Sequence, residues 1–201
     1  MKTLTNPKQL TLLALLTAIP LLMSFTPLGY LNIGPLAITL NMIPVAVAAI
    51  ALGPLGGAIT GAVFGLTSFL QCIGIGGVSA MGAILFEINP VLAFIQRFVP
   101  RVLTGLSIGY IYLGMKKLTG ATVASFVTGF FAAFLNTLLF MLALVLLFGS
   151  TDYVQGLIAG RNIILFICAF VGINAVFEMV ASTLISGILG TALDKARLLR
   201  R

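Results

Sequence analysis

Histidine is absent from this chain, and so is tryptophan. Without an imidazole there is no side chain that titrates near neutrality when unperturbed, and the commonest metal ligand is missing. A Ser–His nucleophile pair and a His-ligated zinc site are excluded on that ground. Cysteine is scarce too. Cys72 and Cys168 lie far apart in apolar contexts and read as small core hydrophobes, not as a disulfide or a metal site. Only four acids are present. Asp152 and Asp194 fall in predicted extramembrane positions, which leaves Glu87 and Glu178 and no pair of intramembrane aspartates. The chain therefore reads as no enzyme. No "GxxxxGK[ST]" occurs, and every predicted loop is too short to house an ATPase.

What remains is apolar. Hydrophobic residues make up 60% of the 201 and charged residues 7%, with a mean hydropathy of +1.21. A soluble domain of this length has no way to cover its core with so little polar surface, so the composition points to an integral membrane protein. The long Leu-, Ala- and Gly-rich runs lack the alternation of a membrane β-barrel and are long enough to cross as helices. Proline and glycine mark the breaks. Six spans are expected, at 9–25, 37–52, 56–73, 81–115, 120–148 and 161–192, forming one compact all-α membrane domain. The first is read as a retained helix, since no small-residue cleavage site follows "MSFTP".

The net charge of +7 does not call for nucleic acid. Lys2 and Lys8 precede the first span, Lys116 and Lys117 end the fourth, and Lys195, Arg197, Arg200 and Arg201 follow the sixth. Six spans place all three groups on one side, and the positive-inside rule makes that side cytoplasmic, with both termini. Arg161 stands at the opposite boundary.

Small residues four apart form seams at which helix backbones approach closely. Gly57, Gly61 and Gly65 line the third span, Gly105 and Gly109 the fourth, and Ser182, Ser186 and Gly190 the sixth. These are expected to pack within the bundle. Ala14 and Ala18 on the first span serve equally well for packing or for another subunit.

Polar side chains inside the spans are expensive and normally face a bundle interior or a water-filled cavity. Asn41, Gln71, Glu87, Asn89, Gln96, Arg97, Arg101, Asn136, Asn174 and Glu178 form this set. Most fall in the outer half of the predicted bundle, where a small solute arriving from outside would meet them. Arg97 and Arg101 share a helix face, as do Asn174 and Glu178, and Pro100 between the arginines removes a backbone donor and favours a kink. The deeper Arg101 is assigned to a structural ion pair with Glu178. Arg97 is assigned to an anionic group of a ligand, which its planar fork of donors suits. Asn136, Asn41, Gln71, Asn89 and Asn174 complete the expected binding set.

"LTLLALLTAI", "IALGPLGGAITGAVFGLTSFL" and "FEINPVLAFIQRFVPRVLTGL" resemble the substrate-binding S components of energy-coupling factor (ECF) vitamin transporters. The series "FGLTSFLQ…INP…FVPR" is most similar to the pantothenate-type group. The resemblance covers roughly Leu10 to Leu193. It implies a six-helix subunit that binds one vitamin under an ordered first loop and reorients in the lipid bilayer. It also implies partners: a transmembrane coupling subunit, contacted through Ala14 and Ala18, and two cytoplasmic ATPases that use ATP and Mg. No cofactor is expected in this chain. Pantothenate, a monoanion with two hydroxyls and an amide, suits an arginine and several amides. Hydroxymethylpyrimidine, riboflavin, folate and pyridoxine are the alternatives within the family, and a small secondary transporter is the alternative outside it.

Overall fold

The computed structural model describes residues 7–26, 30–32, 37–77, 79–158, 162–196 and 199, with side chains left aside at 30–32, 37–38, 163–171 and 173. Lys2, Arg161, Arg197, Arg200, Arg201 and the Cys168 side chain lie outside the described residues. The chain folds as α1 (Pro7–Ser24), β1 (Tyr30–Asn32), β2 (Ala37–Thr39), α2 (Met42–Leu52), α3 (Pro54–Leu70), α4 (Ala80–Ile88), α5 (Pro90–Thr119), α6 (Ala121–Phe148), α7 (Asp152–Ile158) and α8 (Ile163–Lys195). A single 3₁₀ turn, Gln71–Ile73, ends α3.

Five of these helical segments are long and apolar enough to cross a membrane: Pro7–Ser24, Pro54–Ile73, Pro90–Thr119, Ala121–Phe148 and Asn174–Lys195. Their outward faces carry large apolar residues, among them Leu22, Val91, Leu146 and Ile188. The buried set, by contrast, includes Asn41, Gln96, Arg97, Arg101, Asn136 and Glu178. Apolar side chains outside and polar ones inside suit lipid as the surrounding solvent.

Four expected boundaries need correction. The span placed at 81–115 is two helices, because Asn89 is extended (φ −159°, ψ 106°) between them. Its Oδ1 accepts from the Val91 and Leu92 N–H groups at 3.0 and 3.1 Å, and Pro90 supplies a first helical residue that needs no donor. Residues 37–39, expected in the second helix, pair instead as a strand. Tyr30, Leu31 and Asn32 face Thr39, Ile38 and Ala37 in an antiparallel hairpin. The helix begins only at Met42, and at 11 residues it rises about 17 Å, too little to cross the hydrocarbon alone. It is buried along its whole length, at the centre of the bundle. The third span begins at Pro54 and passes into the 3₁₀ turn at Gln71. The sixth extends to Lys195 and is interrupted at Gly172, whose φ of 10° and ψ of −109° are not helical.

Gly53 at φ 80° reverses the chain between α2 and α3, a conformation that glycine adopts without steric cost. The α3–α5 contact is a glycine seam. A Cβ on Gly57 would strike the Gly105 carbonyl, one on Gly61 the Arg101 carbonyl, and one on Gly65 the Phe98 backbone and ring. On the other side of the bundle, a Cβ on Gly129 of α6 would strike the Ser182 carbonyl of α8. A Cβ on Gly190 of α8 would likewise strike the Ser125 side chain of α6. The small residues of spans three, four and six thus pack within the bundle, while Ala14 and Ala18 stay exposed on α1. Gly61→Ala should cost about 1–3 kcal/mol, because backbone must move to admit one methyl. A lowered thermal unfolding midpoint in detergent is the expected result; an unchanged one would mean that α3 and α5 separate freely.

Candidate substrate-binding site

The seam decides where the arginines go. With the Arg101 carbonyl held against Gly61, the buried face of α5 carries Gln96, Arg97, Pro100, Arg101 and Thr104. Helical structure continues through Pro100, whose carbonyl accepts from Thr104 Oγ1 at 2.7 Å. Phe140 of α6 sits against both arginines, its ring centroid 5.2 Å from Arg97 Cζ and 4.5 Å from Arg101 Cζ. The Phe64 ring of α3 lies 5.3 Å from Arg101 Cζ. A ring face attracts a guanidinium through its quadrupole, so Phe140 eases the approach of two like charges.

Arg101 donates from Nη1 to the Gln96 carbonyl at 3.3 Å and acts electrostatically on Glu178 of α8. Glu178 Oε1 accepts the Thr39 backbone N–H at 2.6 Å, tying the hairpin to α8. Arg97 is placed differently. It is 7% exposed, its Nη2 donates to the neutral Ser79 Oγ at 3.2 Å, and its buried Nε has no partner. No carboxylate among the described residues pairs with it. Its charge reaches Tyr153 on α7, outside the spanning helices. Burial, the larger effect, pushes that phenol up, and the Arg97 charge pulls it back.

The amides divide into two groups. Asn136 is buried one turn from Phe140 on α6, with Oδ1 unpartnered. Asn41 is fully buried just before α2, and neither amide atom has a partner. Gln96, part of the intramembrane polar set but not singled out from sequence, is in the same state. A buried amide without a partner costs free energy that a ligand or water can relieve. Gln71 and Asn89 hold the fold together. Gln71 Nε2 donates to the Ser24 carbonyl at 3.1 Å, fastening α1 to α3, and Asn89 caps α5. Asn174 is half-buried on α8, one turn before Glu178.

Ser79, Phe140, Tyr153 and the Thr39 N–H were not indicated by sequence. Only Phe140 carries a signal, its four-residue spacing from Asn136 on one helix face. Phe140→Leu keeps a large apolar side chain but removes the ring face from two guanidiniums. It should lower stability by about 1–3 kcal/mol, read as a drop in the unfolding midpoint of the purified protein.

Buried cations and open amides on helices that otherwise present apolar faces to lipid describe a membrane-embedded solute-binding protein. A sequence profile described as "ECF transporter, substrate-specific component" matches residues 8–190, and the chain belongs to that family. It is 31% identical over 196 residues to the pantothenate transporter PanT of Leuconostoc mesenteroides subsp. mesenteroides, covering 92% of both chains. It is 28% identical over 210 residues to the pantothenic acid transporter PanT of Lactococcus lactis subsp. cremoris, covering 96% of this chain and 97% of that one. The protein is thus a multi-pass membrane protein, the substrate-specific component of an ECF transporter.

Proposed function

We propose that this chain is the pantothenate-binding subunit of an ATP-driven ECF importer. The observation that carries the reading is Arg97, a nearly buried cation with a neutral hydroxyl as its partner. Such a charge is costly to bury alone, and a carboxylate offsets that cost by forming two parallel charge-assisted hydrogen bonds. Asn136, Asn41 and Gln96 offer further donors and acceptors to hydroxyl and amide groups of the vitamin. The names of the two relatives point to the same solute.

The remaining features agree with this role. α1, α3, α5, α6 and α8 cross as helices, and the short α2, buried inside the bundle, completes a sixth passage together with the chain on either side of it. Lys116 and Lys117 in the last turn of α5 and Lys195 at the end of α8 set one face cytoplasmic, along with both termini. Arg101 and Glu178 fix α5 to α8 and the hairpin from below the ligand. The exposed Ala14 and Ala18 receive the transmembrane coupling subunit, against which this subunit reorients to release the vitamin inward. ATP and Mg are used by two partner ATPases, and this chain carries no cofactor of its own.

Titration calorimetry on the purified protein with pantothenate, riboflavin, pyridoxine, folate and hydroxymethylpyrimidine tests the assignment. Tight binding of pantothenate alone is expected. Tight binding of any other of these vitamins would overturn it.

A further inference from the structure

We propose that the N-terminal end of α4 completes the anion socket, with the Ser79 hydroxyl donating directly to the ligand's carboxylate. This rests on the reading of Arg97 as the carboxylate's charged partner. Three observations lead to it.

The first is the hydrogen-bond inventory of Ser79. Its Oγ accepts from the Gly82 N–H at 3.2 Å, as the cap of α4, and from Arg97 Nη2 at 3.2 Å. A serine oxygen has two lone pairs, so both are in use and only its own proton is left to give. Among the described residues no acceptor receives that proton. Ser79 can therefore act toward a ligand as a donor and nothing else.

The second is the helix end itself. α4 runs nine residues, Ala80–Ile88. The N–H groups of Ala80 and Met81, in its first turn, have no intrahelical acceptor and no other partner among the described residues. Unpaired amides and the aligned peptide dipoles make this end attractive to an anion.

The third is the arginine. Arg97 is 7% exposed with Nε unpartnered, and its Nη2 reaches the cap of this helix. Gly82 permits the approach, since a Cβ there would lie 3.0 Å from Arg97 Nη2 and 2.7 Å from Cys72 Sγ. Guanidinium, hydroxyl and first-turn amides converge as donors beside the neutral Cys72 thiol, a weak acceptor that interacts with Arg97 and gives its own proton to the Ser68 carbonyl at 3.6 Å. That combination recognises a carboxylate over an alcohol.

The test uses the full chain and two probes, pantothenate and its analogue with a primary alcohol in place of the carboxylate. Ser79→Ala should weaken pantothenate about tenfold or more, as expected for a lost bond to a charged group, and leave the analogue nearly unchanged. Ser79→Asp separates the socket from the cap. Aspartate caps helices as well as serine does, but it places an anion on Arg97 and repels the ligand's. Pantothenate binding should be lost while the analogue still binds and the unfolding midpoint holds. If Arg97→Ala distinguishes the two probes and neither Ser79 variant does, the socket proposal is overturned and the carboxylate reading stands. If Arg97→Ala fails to distinguish them, the carboxylate reading falls first. Equal weakening of both probes by Ser79→Asp would reduce Ser79 to a cap.

Discussion

Arg97→Ala is expected to weaken pantothenate binding by about 2–5 kcal/mol, because a desolvated carboxylate loses its charged partner and keeps only neutral donors. Arg97→Lys should restore part of this and no more. An ammonium is a compact point charge on a flexible stem and has no planar fork to match both oxygens. The analogue with an alcohol in place of the carboxylate separates charge from shape. It should bind wild type weakly and respond little to either substitution, so a double cycle of residue 97 against the carboxylate shows strong coupling. Arg101 serves as the contrast. Its guanidinium acts on Glu178 and lies against Phe64 and Phe140. Arg101→Ala should therefore depress folding yield by stranding a buried carboxylate. Coupling found at residue 101 and absent at residue 97 would exchange the two roles. Absence at both would remove the physical case for an anionic solute.

How far sequence reaches depends on whether a feature is local to one helix. The glycine ladder at Gly57, Gly61 and Gly65 was legible because helical spacing alone puts those residues on one face, and the α3–α5 contact uses that face. The interior position of the arginines was legible because lipid does not tolerate them outside. The break at Asn89 was hidden by hydropathy, which stays high across it. The local chemistry, Asn followed by Pro, marks a helix start, whereas the same residue type at Pro100 sits inside a continuous helix. A proline therefore does not by itself say which of the two it does. The contacts that shape the site were out of reach for a different reason. Thr39 and Glu178 are 139 positions apart, and Phe140 earns its place only when α6 is laid against α5. An apolar helix gives no sign of which of its phenylalanines will face a guanidinium. Asn41 shows the limit in reverse. Its residue type and position were read as a ligand contact, and its burial with both amide atoms open is the geometry from which a ligand contact is now proposed.

Ala14→Trp or Ala18→Trp is expected to abolish assembly with the coupling subunit, and with it vitamin uptake, while leaving pantothenate affinity nearly unchanged. Both alanines are exposed on α1 and lie one turn apart, on a helix whose other exposed residues include Leu15 and Leu22. Between these bulky side chains the two methyls leave a shallow flat strip. In lipid, helices associate through close backbone contact and not through exclusion of water, so a strip of this kind is where a second helix approaches nearest. An indole there holds the partner off, and the packing gained along the rest of the helix cannot form. Both positions are exposed on the subunit's own surface, so an indole there displaces none of its buried packing and the binding site has no reason to change. The intramolecular seams behave oppositely: at Gly57 or Gly61 even a methyl meets backbone. Co-purification of tagged subunits, ATP-driven uptake in vesicles and calorimetry on the isolated chain together check the prediction. Assembly and uptake should be lost together, with binding retained. Loss of binding by a variant that still assembles would place the α1 face inside the subunit's own packing and leave the coupling surface to be sought elsewhere on the bundle.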